Sequence, residues 1–115
     1  MKTETRDIEL LGISGGNWTE SVLVPVGNQF LCTHKRLGVW RITHIPSGLC
    51  VTFPPRRRIT RKPMALRLAV LMEKIGGQLW NFTTWEEGVE CKERLIGLFK
   101  ESEDSLLLEE KALEG

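Results

Sequence analysis

Five cations stand among the seven residues Arg56, Arg57, Arg58, Ile59, Thr60, Arg61 and Lys62, with no acid between them. Guanidinium groups are planar forks of donors that match phosphate oxygens, so the chemistry of this run is anion binding, not bond making. Arg67 extends the series on one side; Lys35, Arg36 and Arg41 precede it on the other. Trp40 adjoins Arg41. Cations beside an aromatic face are the layout that holds single-stranded nucleic acid, the cations following the backbone and the rings stacking the bases. Trp40 is the first stacking candidate, with Trp18 and Phe30 behind it. The competing reading puts Trp40 in the core, where large strand aromatics usually pack, and leaves the arginines as a solvated loop.

The net charge of +1 hides a segregation. Residues 21–72 contain no Asp or Glu and carry nine cations, while the rest of the chain holds seven cations and all 15 acids, a net −8. Such asymmetry points to an anionic partner for the basic part. The other reading is that the acidic part folds back and neutralises it, in which case the acidic residues 101–115 act as an autoinhibitor.

Other chemistry finds less support. Cys32, His34, His44, Cys50 and Cys91 are metal-ligand types, but no Cys-x-x-Cys or His-x3-His pair fixes a tetrahedral site, and buried structural cysteines are the simpler reading. The Thr-His pairs at 33–34 and 43–44 read as cross-strand neighbours. Cys50 with His44 across a tight turn is a conceivable nucleophile and base, but no acid orients them. There is no Walker-type loop and no dinucleotide glycine pattern. The expectation is a protein that is not an enzyme and carries no metal or cofactor.

These residues must be positioned by a small fold. A chain of 115 residues, 41% apolar, makes one domain with a real core. We expect that domain over residues 1–100, followed by an acidic tail or short helix at 101–115. Residues 39–45 alternate with period two and read as a strand. Pro46-Ser47-Gly48 turns the chain, Gly48 supplying a left-handed conformation, and residues 49–53 read as the returning strand, ended by Pro54 and Pro55. Earlier strands are expected over 7–13, 22–26 and 29–33, with residues 1–6 frayed. A basic turn at 34–38 leads into the central strand.

Pro63 suits the first turn of a helix capped near Thr60 or Lys62. Ala65, Leu68, Ala69, Met72 and Ile75 form its apolar face, and Gly76-Gly77 closes it. Residues 78–82 read as a short strand or extended link. Thr84 and Glu87 match a capping box for a second, acidic helix over 85–100 that buries Trp85, Cys91, Leu95, Leu98 and Phe99. The fold class is therefore α+β: an antiparallel meander of four to five strands, an amphipathic helix and a second acidic helix. Leu106, Leu107, Leu108 and Leu113 in the tail dock on the domain, pair two copies as a homodimer, or fray.

No apolar run approaches the ~18 residues of a membrane span. The opening MKTETRDIEL lacks a signal-peptide core. Three unpaired cysteines suit a reducing cytoplasm.

The segment Trp40-Arg41-Ile42-Thr43-His44-Ile45-Pro46-Ser47-Gly48 resembles a Thr-His-Ile-Pro-Thr/Ser-Gly hairpin of small uncharacterised proteins from phages and other mobile elements, in which a helix also follows. That resemblance implies a small accessory protein. The order of elements is also similar to the single-stranded-DNA-binding fold of the Whirly and transcriptional-coactivator type. The leading expectation is a nucleic-acid-binding protein that prefers single strands. The alternative is a protein-interaction module, such as a phage-type regulator or inhibitor of a host complex, that lays its basic loop on an acidic protein surface.

Overall fold

The computed structural model describes residues 2–12, 16–51 and 59–101. Four strands, β1 (Thr3–Leu11), β2 (Asn17–Pro25), β3 (Leu31–Arg36) and β4 (Val39–His44), form one antiparallel sheet in the order β1-β2-β3-β4. Two helices follow, α1 (Lys62–Gly76) and α2 (Trp85–Glu101). The fold is the expected α+β meander, with four strands among the described residues.

Strand alternation divides the sheet into two faces. Leu31 pairs with His44, Thr33 with Ile42 and Lys35 with Trp40 on the face toward α1. There Leu31 and Ile42 join Met64, Ala65, Leu68, Ala69 and Met72 of α1, and Leu95 and Phe99 of α2, in the main core. The opposite face carries Cys32, Val22 and Val24, with Ile8 and Ile45 against them, as a second small cluster. The sheet curls around this second face. The Leu11 amide donates to the Gly48 carbonyl at 2.9 Å, so the end of β1 meets the turn that follows β4. Gly48 has φ +72°, and a Cβ there would lie 2.5 Å from the Glu9 carbonyl oxygen. Only glycine combines that conformation with that closeness.

Of the returning strand expected over 49–53, the described residues 49–51 carry one bridge, between Cys50 and Thr43. Residues 52–58 lie outside the described residues. The expectation of a frayed start is overturned: Thr3 to Arg6 are paired with Pro25 to Val22, and β1 is nine residues long. Four of its six exposed positions are charged and only Leu10 is fully buried, so it lacks the apolar alternation that would mark it in sequence. Asn17 to Ser21 likewise belong to β2. Gln29 and Phe30 precede β3 as a loop.

In α1, the N-cap is Arg61, with no side-chain cap, and Pro63 stands in the first turn. Gly77 closes the helix at φ +51°, its amide donating to Glu73. Residues Gly77–Trp80 are a turn of 3-10 helix, not a strand. That turn drives Trp80 fully into the core, where its indole N–H donates to the Met72 carbonyl at 2.9 Å. The capping box forms at α2, the Glu87 amide donating to Thr84 Oγ1 and the Thr84 hydroxyl to Glu87. Trp85 is 60% exposed, contrary to the expected burial. Phe82 instead lies over the helix, with its ring against Gly88.

Candidate nucleic-acid interface

The β3–β4 turn is Leu37-Gly38, with φ +53° and +79°. Two left-handed residues form the two-residue turn that matches strand twist. The basic turn expected over 34–38 is thus mostly strand, and its side chains alternate between the faces. Arg36 and Arg41 lie on the face away from the helices, beside His34, whereas Lys35 shares the helix-side face with Trp40.

On the face away from the helices, Trp18, His34, Arg36, Leu37, Arg41, Thr43, Cys50 and the Leu10–Gly12 end of β1 line an open cleft of about 500 Å3. The Arg36 guanidinium sits 4.3 Å above the centre of the Trp18 ring, a cation–π stack. Arg41 is exposed, and its carbonyl accepts from Thr33 Oγ1 at 2.8 Å, which fixes the strand that carries it. The ion pairs among the described residues are Arg6–Glu4 and His34–Glu20, so neither Arg36 nor Arg41 has a carboxylate partner there.

His34 is 5% exposed. Its Nε2 lies 2.9 Å from Thr43 Oγ1. Its Nδ1 is 3.1 Å from a Glu20 carboxylate oxygen but misaligned, and is left without a hydrogen bond. Burial holds the imidazole pKa below its ordinary value; Glu20 opposes this, and Arg41 and Arg36 reinforce it.

The arginine run is tied to the same strand. The Val51 amide donates to the Ile42 carbonyl, and the Trp40 amide to the Ile59 carbonyl, both at 2.8 Å. The chain therefore leaves β4 at Ile42 and rejoins it at Trp40. Arg56, Arg57 and Arg58 lie outside the described residues, but Ile59, the covalent neighbour of Arg58, is fixed against Trp40. Arg61 and Lys62 follow at the start of α1, and Arg67 is exposed on its second turn.

Trp40 is half-buried and packs on the main core, as does Phe30. The aromatic residue that meets the cations is Trp18, which ranked lower in sequence because nothing there shows that the β1–β2 arm carries it to Arg36.

The remaining candidates are structural. His44 is fully buried and stacks on Phe82, with ring centroids 3.9 Å apart. Its Nε2 donates to the Trp80 carbonyl at 2.6 Å, and its Nδ1 accepts from the Ser47 hydroxyl at 2.7 Å. Both nitrogens are occupied, so His44 cannot serve Cys50 as a base. The two Thr-His pairs are cross-strand neighbours, His34 bonding to Thr43, but the two imidazoles lie on opposite faces of the sheet. Cys32 is buried, and desolvation pushes its thiol pKa up to about 12; it stays protonated. Cys50 is exposed and Cys91 half-buried, so neither is the fully buried cysteine expected. Among the described residues no three His, Cys, Asp or Glu side chains form a metal-binding group, and no helix is long and apolar enough to cross a membrane.

Comparison with protein-family models, curated proteins and solved structures finds no match.

Proposed function

We propose that this chain is a small, non-enzymatic, cytoplasmic protein that binds nucleic acid and prefers single strands. The observation that carries the reading is the Arg36–Trp18 stack beside Arg41, at the strand to which both ends of the arginine run are tied. Arg56, Arg57, Arg58, Arg61, Lys62 and Arg67 hold phosphates, helped by Lys35, Arg36 and Arg41. The preference for single strands follows from the aromatic residue: a ring can stack only a base whose face is free, and a duplex hides its base faces.

Fluorescence anisotropy with labelled single-stranded DNA, duplex DNA and RNA across a salt series tests this. If about six phosphates are neutralised on a single strand, log K falls against log salt with a slope of about −4. Arg56→Ala/Arg57→Ala/Arg58→Ala weakens every strand and flattens the slope. Absence of binding at low salt sinks the reading. It would favour the basic surface docking on an acidic protein, where a shape-specific apolar contribution survives salt.

A further inference from the structure

We infer that the cleft between the end of β1 and the β3–β4 hairpin is a one-nucleotide pocket, taking a base against Trp18 and its phosphate between Arg36 and Arg41. This rests on the nucleic-acid reading and gives that surface a defined subsite. A volume of about 500 Å3 falls within the range of small-molecule sites, large enough for a nucleoside monophosphate and too small for a base-paired step. Leu10, Leu11 and Leu37 give the cleft an apolar wall, which a bare phosphate would not use.

The polar groups are few. Arg36 is held over Trp18 by stacking, without a carboxylate among the described residues. It can therefore swing to a phosphate as a base takes its place on the ring. Arg41 stands on the neighbouring strand, opposite His34. His34 is buried at the cleft wall with Nδ1 lacking a hydrogen bond. Among the described residues the Glu20 carboxylate is the one acid facing His34, and its indole contact, Trp18 Nε1 at 3.4 Å, fixes the ring edge.

The full chain is titrated with adenosine 5′-monophosphate, adenosine and inorganic phosphate while backbone amide NMR shifts are followed. The monophosphate is expected to move the amides of Trp18, His34, Arg41 and Gly48 together and to bind at least about tenfold more tightly than either part alone, since stack and charge act on one molecule. Trp18→Ala lowers that affinity about 5- to 150-fold, the range of one base–aromatic stack. Trp18→Phe restores most of it, which separates stacking from misfolding. Arg36→Gln/Arg41→Gln, both at exposed positions, abolishes the preference over adenosine. Shifts scattered over the surface, or equal affinity for inorganic phosphate, overturn the pocket. If single strands bind steeply with salt while the monophosphate leaves these amides unmoved, the pocket falls and the proposed function stands. If the monophosphate binds here and strands do not, the pocket stands and the strand reading falls.

Discussion

Glu73 offers a direct test of how the sheet is held to α1. Its carboxylate accepts three successive backbone amides where the loop enters β3: Gln29 at 2.7 Å on one oxygen, and Phe30 at 2.7 Å and Leu31 at 2.8 Å on the other. Asn28 adds a second strut, its Nδ2 donating to the Leu31 and Ala69 carbonyls. In Glu73→Ala the exposed Gln29 amide recovers water. Those of Phe30 and Leu31 are partly shielded, and hydrogen bonds to a charged group are worth about 1.5–3 kcal/mol each. Two such losses come to about 3–6 kcal/mol, a large share of a small domain's stability. Glu73→Gln keeps one acceptor and turns an N–H toward another N–H, so it falls between wild type and Ala. Urea unfolding followed by the fluorescence of buried Trp80 measures the loss; thermal melting should shift by at least about 12 °C for the Ala variant. Strand affinity should change little, because the clamp sits at the Leu31 end of β3, away from Arg36. An Ala variant within about 0.5 kcal/mol of wild type would refute the clamp.

Two glycines and the two histidines give further tests. Gly48→Ala places a Cβ against the Glu9 carbonyl in a left-handed conformation, and is expected to cost about 2–5 kcal/mol in urea unfolding; a cost below about 1 kcal/mol would mean that β1 does not close on this turn. Gly76→Ala should stabilise an exposed helix by about 1 kcal/mol. Here the new methyl meets the Trp80 indole and Leu95, so a net loss of about 1–3 kcal/mol is expected, and a gain would contradict the packing. His34 and His44 both have folded pKa values lowered by burial. The unfolded chain therefore takes up protons near pH 6.5 before the folded one does. Stability is full above that pH, falls as pH drops through 6.5 toward the folded values by up to about 1.4 kcal/mol per pH unit per histidine, and then levels off. Unfolding curves identical at pH 7.5 and pH 5 would refute this.

What could be read from sequence was what local rules decide. Pro63 and Gly77 bracket α1 because one lacks an amide and the other tolerates positive φ. Gly48 marks its turn for the same reason, and Thr84 and Glu87 find each other within one helical turn. The longer-range arrangements were less legible. Glu4, Arg6, Asp7 and Glu9 hide β1, since an edge strand with few buried residues needs no apolar alternation. Trp80 sits in a 3-10 turn because its indole reaches back to the Met72 carbonyl, a contact across eight residues. Trp85 opens its helix pointing outward because Phe82, stacked on His44, already covers that side.

The same division separates the two halves of the candidate site. The density of arginines needs no fold to be seen, and its tie to β4 follows from the hairpin that the sequence signals. The cleft depends on two pairings that no short window contains. Leu10 lies opposite Trp18 in the β1–β2 arm, and the Leu11 amide reaches the Gly48 carbonyl across the curled sheet. The first delivers an indole to Arg36, and the second closes the wall facing Arg41 and Thr43. A sheet that stayed flat would leave Arg36 and Arg41 on an open surface, able to attract a phosphate but not to hold a base beside it. The curl that Gly48 permits is therefore what distinguishes a pocket from a basic patch. Gly48→Ala should weaken nucleoside monophosphate binding more than it weakens the salt-dependent attraction of long strands.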